Sequence, residues 1–169
     1  MKLYRYIFFL IFCITSINSA IGKEKIVFID IDFVLNNSNL GKSIYTKLDK
    51  LNKKNFDELS KIEEQLAKKK KSIDVSKNIS SKENLEKEIN LFNEELKNFR
   101  SKKNELLKAF ESKKKREIDD FLANVNPIIQ EYMKKNSISI VLPKNQILIG
   151  NTEMDITNDI MDLVNNNLK

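Results

Sequence analysis

The sequence contains no histidine and no tryptophan, and only one cysteine, two prolines and three glycines. Each shortage closes a route to function. Without His there is no imidazole acid–base chemistry and no His-ligated metal site. A single Cys excludes an intrachain disulfide and a thiolate metal cluster. Three glycines cannot supply a phosphate-cradling loop as well as ordinary turns. Charge is what is plentiful: 30 Lys+Arg and 24 Asp+Glu make up 32% of 169 residues, with a net charge of +6. So many charges with so few helix breakers point to long solvated helices. No catalytic residue, metal site or cofactor is expected.

The chain opens with a targeting pattern. Lys2 and Arg5 form a basic start, Ile7 to Ile17 an almost unbroken apolar run, and Ser19, Ala20 and Gly22 a small-residue exit. This is the three-part layout of a secretory signal peptide over residues 1–22. The apolar run is about 11 residues, against roughly 20 needed to span a bilayer. Cleavage is expected after Gly22, with Ala20 as the alternative site and an uncleaved anchor as the competing reading. Cys13 follows Phe12 inside the apolar run, which is the wrong context for lipidation. The mature chain would then hold no cysteine, and an exported protein without disulfides must draw stability from packing or assembly.

The remaining chain divides into two chemistries. Lys25 to Ile31 reads as a buried strand, Ser137 to Leu142 as a second and Gln146 to Ile149 as a third, with Pro143-Lys144-Asn145 turning between the last two. A short amphipathic helix follows from about Thr157 to Leu168, with Ile160, Leu163 and Val164 on one face and Thr157 or Asp155 available as its cap. Between the first strand and the second, no Gly or Pro occurs from Lys42 to Asn126. A first helical limb, roughly 42–72, sets Ile44, Leu48, Leu51, Leu59, Ile62 and Leu66 on one stripe. The steps from Leu48 to Leu59 and from Leu51 to Ile62 are both 11, which locally unwinds a left-handed supercoil. A polar break from Ser72 to Ser81 ends in a capping box of Ser80 and Glu83. The second limb carries Leu85, Ile89, Phe92, Leu96, Phe99, Leu106 and Phe110 at 3–4 spacing, with Lys103 in one seam position. Asn126-Pro127 is expected to kink or break it. Two such limbs form an antiparallel hairpin.

The fold class is therefore α+β: a small β-rich oligomerisation body, residues 23–40 plus 136–169, with a long helical hairpin arm, 41–135, inserted into it. That body has only 52 residues, a size at which one core is marginal. The hairpin projects away from the body and cannot enlarge that core, so strands from several copies are expected to complete one shared barrel or sheet. Ile26, Val27, Phe28, Ile29, Ile138, Ile140, Val141, Ile147 and Ile149 are the candidates for that shared core.

Charge divides at the same boundary. Residues 41–135 hold 24 Lys/Arg against 17 Asp/Glu, net +7, while the body is net −3. Lys68, Lys69, Lys70 and Lys71, with Lys77 and Lys82, form a basic arm tip. Export argues against nucleic acid as the partner; an anionic lipid or lipopolysaccharide surface and acidic protein segments remain. A merely solvated helix face is the plain alternative for each lysine.

One enzymatic reading competes. Ile29-Asp30-Ile31-Asp32-Phe33 resembles the Asp-x-Asp motif of haloacid-dehalogenase-type phosphotransferases, where both carboxylates share one strand face. Phe33 stands where that motif carries Gly, and its later Ser/Thr, Lys and Asp elements have no counterpart. Otherwise Asp30 and Asp32 end the strand and start a helical turn.

The ordered set of parts resembles the Skp (OmpH-like) family of periplasmic chaperones over essentially the whole chain. It is carried by Lys25-Ile26-Val27-Phe28-Ile29-Asp30, Val34-Leu35-Asn36-Asn37-Ser38, Gly41-Lys42, the charged hairpin, Ser137-Ile138-Ser139-Ile140-Val141-Leu142 and Met154-Asp155-Ile156-Thr157. Asp32 and Pro127 depart from the family pattern. The resemblance implies a periplasmic homotrimer whose bodies form a central barrel. Its arms would enclose a cavity that holds unfolded outer-membrane proteins without ATP. Phe56, Phe92, Phe99 and Phe110 are the candidate client contacts, their alternative role being the seam between the limbs. A coiled-coil scaffold or tether of the envelope, with no holdase activity, is the other reading.

Overall fold

The computed structural model describes residues 24–77 and 81–168. The expected leader, residues 1–22, and Ser80 lie outside the described residues. Strand β1, Lys25–Ile29, pairs in parallel with β2, Ile138–Pro143, setting Ile26 opposite Ile140 and Val27 opposite Val141. Parallel partners need a crossover connection. Here that crossover is the whole helical arm: α1 (Ile31–Asn37), α2 (Asn39–Ser76) and α3 (Lys82–Lys135). Helix α4, Thr157–Asn167, closes the chain.

The corner between strand and arm is built from short polar side chains. Asp30 caps α1, its Oδ1 accepting the Phe33 N–H at 2.9 Å. Ser38, in extended backbone, ends α1 and caps α2 by accepting the Gly41 N–H at 3.1 Å. Such caps satisfy donors that a helix start leaves open, each worth about 1 kcal/mol. The exit from α3 runs through Ser137, whose φ of 53° is the left-handed conformation that usually ends a helix on glycine.

Several expectations change. The first strand ends at Ile29, two residues early, because Asp30 has turned into a cap. Gln146 to Ile149 is not a strand: Lys144–Gln146 forms a 3₁₀ turn, and Leu148 and Ile149 are 96% and 90% exposed. The apolar run reads as β, but among the described residues no third strand pairs with it. The first limb continues through the serines to Ser76, and Ser81, not Ser80, caps α3, by a long 3.5 Å contact to the Asn84 N–H. Pro127 sits inside an unbroken helical run. Phe121 and Val125 before it and Ile128, Ile129, Tyr132 and Met133 after it all pack on the core. That packing holds the helix through one missing hydrogen bond.

The largest correction concerns the core. The arm does not simply project from a 52-residue body; its roots are part of the core. Val27 and Ile29 of β1, Val34 and Leu35 of α1, and Ile160 and Val164 of α4 pack with Ile44 and Leu48 of α2 and Phe121 and Val125 of α3. Burying each such side chain is worth roughly 1.5–3 kcal/mol, so the roots strengthen a core that the body alone leaves thin.

A polar network ties the two ends of this core together. Thr157 Oγ1 accepts the Asp30 N–H at 2.9 Å and bonds to the Asp155 carboxylate, which also accepts the Thr157 N–H at 3.0 Å. Burial pushes the Asp155 carboxyl up, but the Lys144 ammonium at 2.7 Å and the Thr157 hydrogen bonds outweigh it and hold it below the usual aspartate range. A carboxylate lowered in the fold stabilises above its unfolded pKa of about 3.9, and that contribution fades as pH falls through the folded value. Asp155→Asn is therefore expected to cost up to about 1 kcal/mol at neutral pH. Thermal melts across pH should show parent and variant converging below the usual aspartate range.

Candidate functional site

The arm is an antiparallel pair with an inward stripe on each limb. On α2 the more buried positions run Ile44, Leu48, Leu51, Asn55, Leu59, Ile62, Leu66, Lys69 and Ile73. The stripe keeps the 11-residue step from Leu48 to Leu59. On α3 it runs Leu85, Glu88, Phe92, Leu96, Phe99, Lys102, Leu106 and Phe110. Two positions differ from the expected seam: Ile89 is exposed beside Glu88, and Lys102, not Lys103, turns inward. A straight helix drifts against a strict heptad, so a stripe extrapolated over several turns slips by one residue.

Two ion pairs cross between the limbs, Lys69 to Glu95 at 2.5 Å and Lys102 to Glu58 at 3.2 Å. All four side chains are 35–48% exposed. Each pair therefore adds little stability and mainly fixes register. Other pairs run along single helices, among them Lys113–Glu117, Lys115–Asp119 and Lys135–Glu131 at i,i+4. Much of the arm's charge thus supports its own helices.

The basic tip is partly neutralised. Lys68 pairs with Glu64 at 2.6 Å, Lys69 with Glu95, and Lys77 with Asp74 at 2.7 Å. The Lys68 and Lys77 ammonium groups hold the Glu64 and Asp74 carboxyls below their ordinary range. Among the described residues, Lys70, Lys71 and Lys82 make no ion pair. Composition alone overstated the patch, because it counts lysines without their helical neighbours.

The four phenylalanines separate. Phe92, Phe99 and Phe110 lie half-buried in the seam, Phe110 also against the body core, whereas Phe56 is 67% exposed. Sequence reasoning missed Leu91 and Leu107, 54% and 58% exposed. The available signal was their place one residue off the stripe, beside Phe92 and Leu106.

The nine candidate assembly residues divide as well. Val27, Phe28, Ile29 and Ile138 are buried in the chain's own core, and Val141 and Ile147 are half-buried. Ile26 and Ile140, opposite each other in the ladder, are exposed, as is Ile149 beside Leu148. The body therefore carries an outward apolar surface on a two-stranded sheet.

The carboxylates of the Asp-x-Asp segment do not share a strand face. Asp30 is a helix cap and Asp32 an exposed residue of the first turn of α1. Among the described residues there is no cluster of three or more metal-ligating side chains, and no helix is long and apolar enough to cross a membrane.

A small α+β body with a long helical hairpin as the crossover between two parallel strands defines an architecture of its own. The family model described as outer membrane protein (OmpH-like) matches residues 25–164, and the chain belongs to that family. The fold is shared with the crystal structure of a candidate outer membrane chaperone (OmpH-like) from Caulobacter crescentus CB15. The TM-score is 0.79 at 18% identity, covering 86% of each chain. No curated protein matches.

Proposed function

We propose that this chain is an ATP-independent holdase chaperone of the periplasm that binds unfolded outer-membrane proteins and keeps them from aggregating. Membership of the OmpH-like family supports the class of function, and the fold shared with the candidate chaperone of Caulobacter crescentus points the same way. The observation that carries the reading is the arm itself: exposed Phe56, Leu91 and Leu107 stand on an arm whose residues 41–135 carry a net charge of +7. Isolated apolar contacts on a basic surface bind unfolded, acidic chains weakly and at many points. Such encounters weaken as salt screens them.

Assembly belongs to the same proposal. A homotrimer would cover Ile26, Ile140, Leu148 and Ile149, with the strand-like run 146–149 adding to a neighbour's sheet to close a barrel. The arms of residues 41–135 would then surround a cavity beneath the bodies, 23–40 plus 136–169. A leader over residues 1–22 would deliver the chain to the periplasm. Lys70, Lys71 and Lys82, the unpaired part of the tip among the described residues, are the groups that would meet an anionic lipid or lipopolysaccharide surface.

The second reading, an envelope scaffold or tether, draws on Phe92, Phe99 and Phe110, whose place in the seam leaves fewer free contacts for a client. One experiment separates the two. Mature protein is mixed at stoichiometric amounts with a urea-unfolded outer-membrane protein, diluted at low salt, and followed by light scattering and sedimentation. The expected result is suppressed aggregation by a trimer, weakened at high salt. Leu148→Asp with Ile149→Asp should shift the mass to monomer. A trimer that leaves aggregation unchanged identifies the scaffold, and a stable wild-type monomer removes the shared-barrel assembly.

A further inference from the structure

Midway along the arm the seam is not filled. An open recess of about 270 Å³ lies between the limbs, with Ile62, Leu66 and Phe99 as its floor. Its rim is polar: Gln65 on α2, and Glu95, Asn98 and Lys102 on α3. The cause is legible in the seam. At Lys69 and Lys102 an inward position that should supply an apolar knob holds a lysine instead. Each lysine sends its ammonium to a carboxylate on the opposite limb, Glu95 and Glu58, and the two bridges bracket the recess. The space of the missing knobs stays open between them.

We propose that this recess is a side-chain pocket that selects tyrosine in an unfolded client. The proposal rests on the holdase reading and names one class of contact within it. Size favours a ring, since an apolar cavity of about 150 Å³ accommodates benzene and this one is larger and open to solvent. Rim chemistry selects the ring. Lys102 and the amides of Gln65 and Asn98 donate hydrogen bonds, while Glu95 and the amide oxygens accept them. Gln65 and Asn98 are exposed and make no side-chain hydrogen bond among the described residues. A phenol hydroxyl both donates and accepts, an indole N–H only donates, and a phenyl ring does neither. Over an apolar floor with a mixed rim, tyrosine is matched best, tryptophan next and phenylalanine least.

The test uses the mature chain and three probes, N-acetyl-tyrosinamide, N-acetyl-tryptophanamide and N-acetyl-phenylalaninamide, titrated by ligand-observed NMR. Tyrosinamide should bind roughly three- to tenfold more tightly than phenylalaninamide, the value of one or two net hydrogen bonds. In Gln65→Leu with Asn98→Leu, both solvent-facing positions, that order should level or invert while the thermal melt keeps its midpoint. Equal binding of the probes by the parent, no binding at all, or an unchanged preference in the double variant would overturn the pocket. Parent and variant are also run in the client aggregation assay. A parent that fails there removes the holdase reading whatever the probes do. A parent that holds clients but shows no tyrosine preference removes only the pocket.

Discussion

Gly41→Ala is expected to destabilise the protein by at least about 3 kcal/mol, among the largest effects of any single methyl group in the chain. A Cβ at Gly41 would lie 1.6 Å from the carbonyl oxygen of Leu35 and 2.7 Å from its carbonyl carbon. Those atoms belong to backbone, so no side-chain rotation relieves the overlap. The requirement comes from the corner at Ser38, which turns α1 into α2 so tightly that the third residue of α2 passes over the last turn of α1. The added methyl would have to open that corner, losing the Ser38 cap and the approach of Ile44 and Leu48 to the core. Urea unfolding followed by far-UV circular dichroism gives the midpoint shift. Gly150→Ala is the control. Its added Cβ meets the Phe28 ring at 2.7 Å. A ring edge can move, so the loss should stay below about 1.5 kcal/mol. Equal losses at the two sites would refute the corner argument.

The second large effect is expected at Phe121. Among the described residues it is the largest side chain with essentially no exposure, 1%, and it belongs to the core that joins the return limb to α2 and α4. Truncation to alanine should cost about 3–5 kcal/mol from lost burial and the cavity left behind. That approaches the whole stability of a small domain, typically about 5–15 kcal/mol. Phe56→Ala provides the contrast, because its side chain is 67% exposed. Its loss should change stability by no more than about 0.5 kcal/mol. Denaturant melts measure both. The pair also separates folding from function: Phe56→Ala keeps its melt yet should hold clients less well, whereas Phe121→Ala should fail in both. An unchanged midpoint for Phe121→Ala would mean that the arm root is not part of the folding core.

The elements legible from sequence were those with long periods or strong patterning. The two limbs, the first strand, the Ser137 to Leu142 strand and the final helix all follow from runs of apolar residues at one spacing. Local chemistry was also readable at Asp30, where a carboxylate just before a helical pattern acts as a cap. The final helix instead starts at Ile156 with no side-chain cap, so neither Thr157 nor Asp155 fills that role, and Asp155 bonds Thr157 two residues on. What escaped were properties that depend on a partner. Gln146 to Ile149 has strand composition, but a strand needs a neighbour, and none lies among the described residues. Pro127 reads as a breaker, yet packing on both sides of it keeps the helical run unbroken. The inclusion of Ile44, Leu48, Phe121 and Val125 in the core was hidden because a single stripe serves both body and arm, with no change of composition where one ends. The tip lysines looked like one patch because pairing with Glu64, Asp74 and Glu95 depends on helical phase and on the opposite limb. For the candidate client residues, the seam stripe told which phenylalanines pack, but not that the next residues along, Leu91 and Leu107, stand outside it.

The parallel pairing of Lys25 with Ile138 also bears on the order in which the molecule can fold. β1 is made first and has no partner until the entire arm lies behind it, so its ladder cannot nucleate folding. Closing so long a loop from an open coil is slow, because the entropy of closure is lost before any contact rewards it. A hairpin removes that delay. Its limbs can zip through short-range contacts near the turn, and each added turn brings the two ends of the loop closer together. By the time Phe121 reaches Ile44 and Leu48, the strands are already neighbours. The arm is thus the assembly guide of its own body.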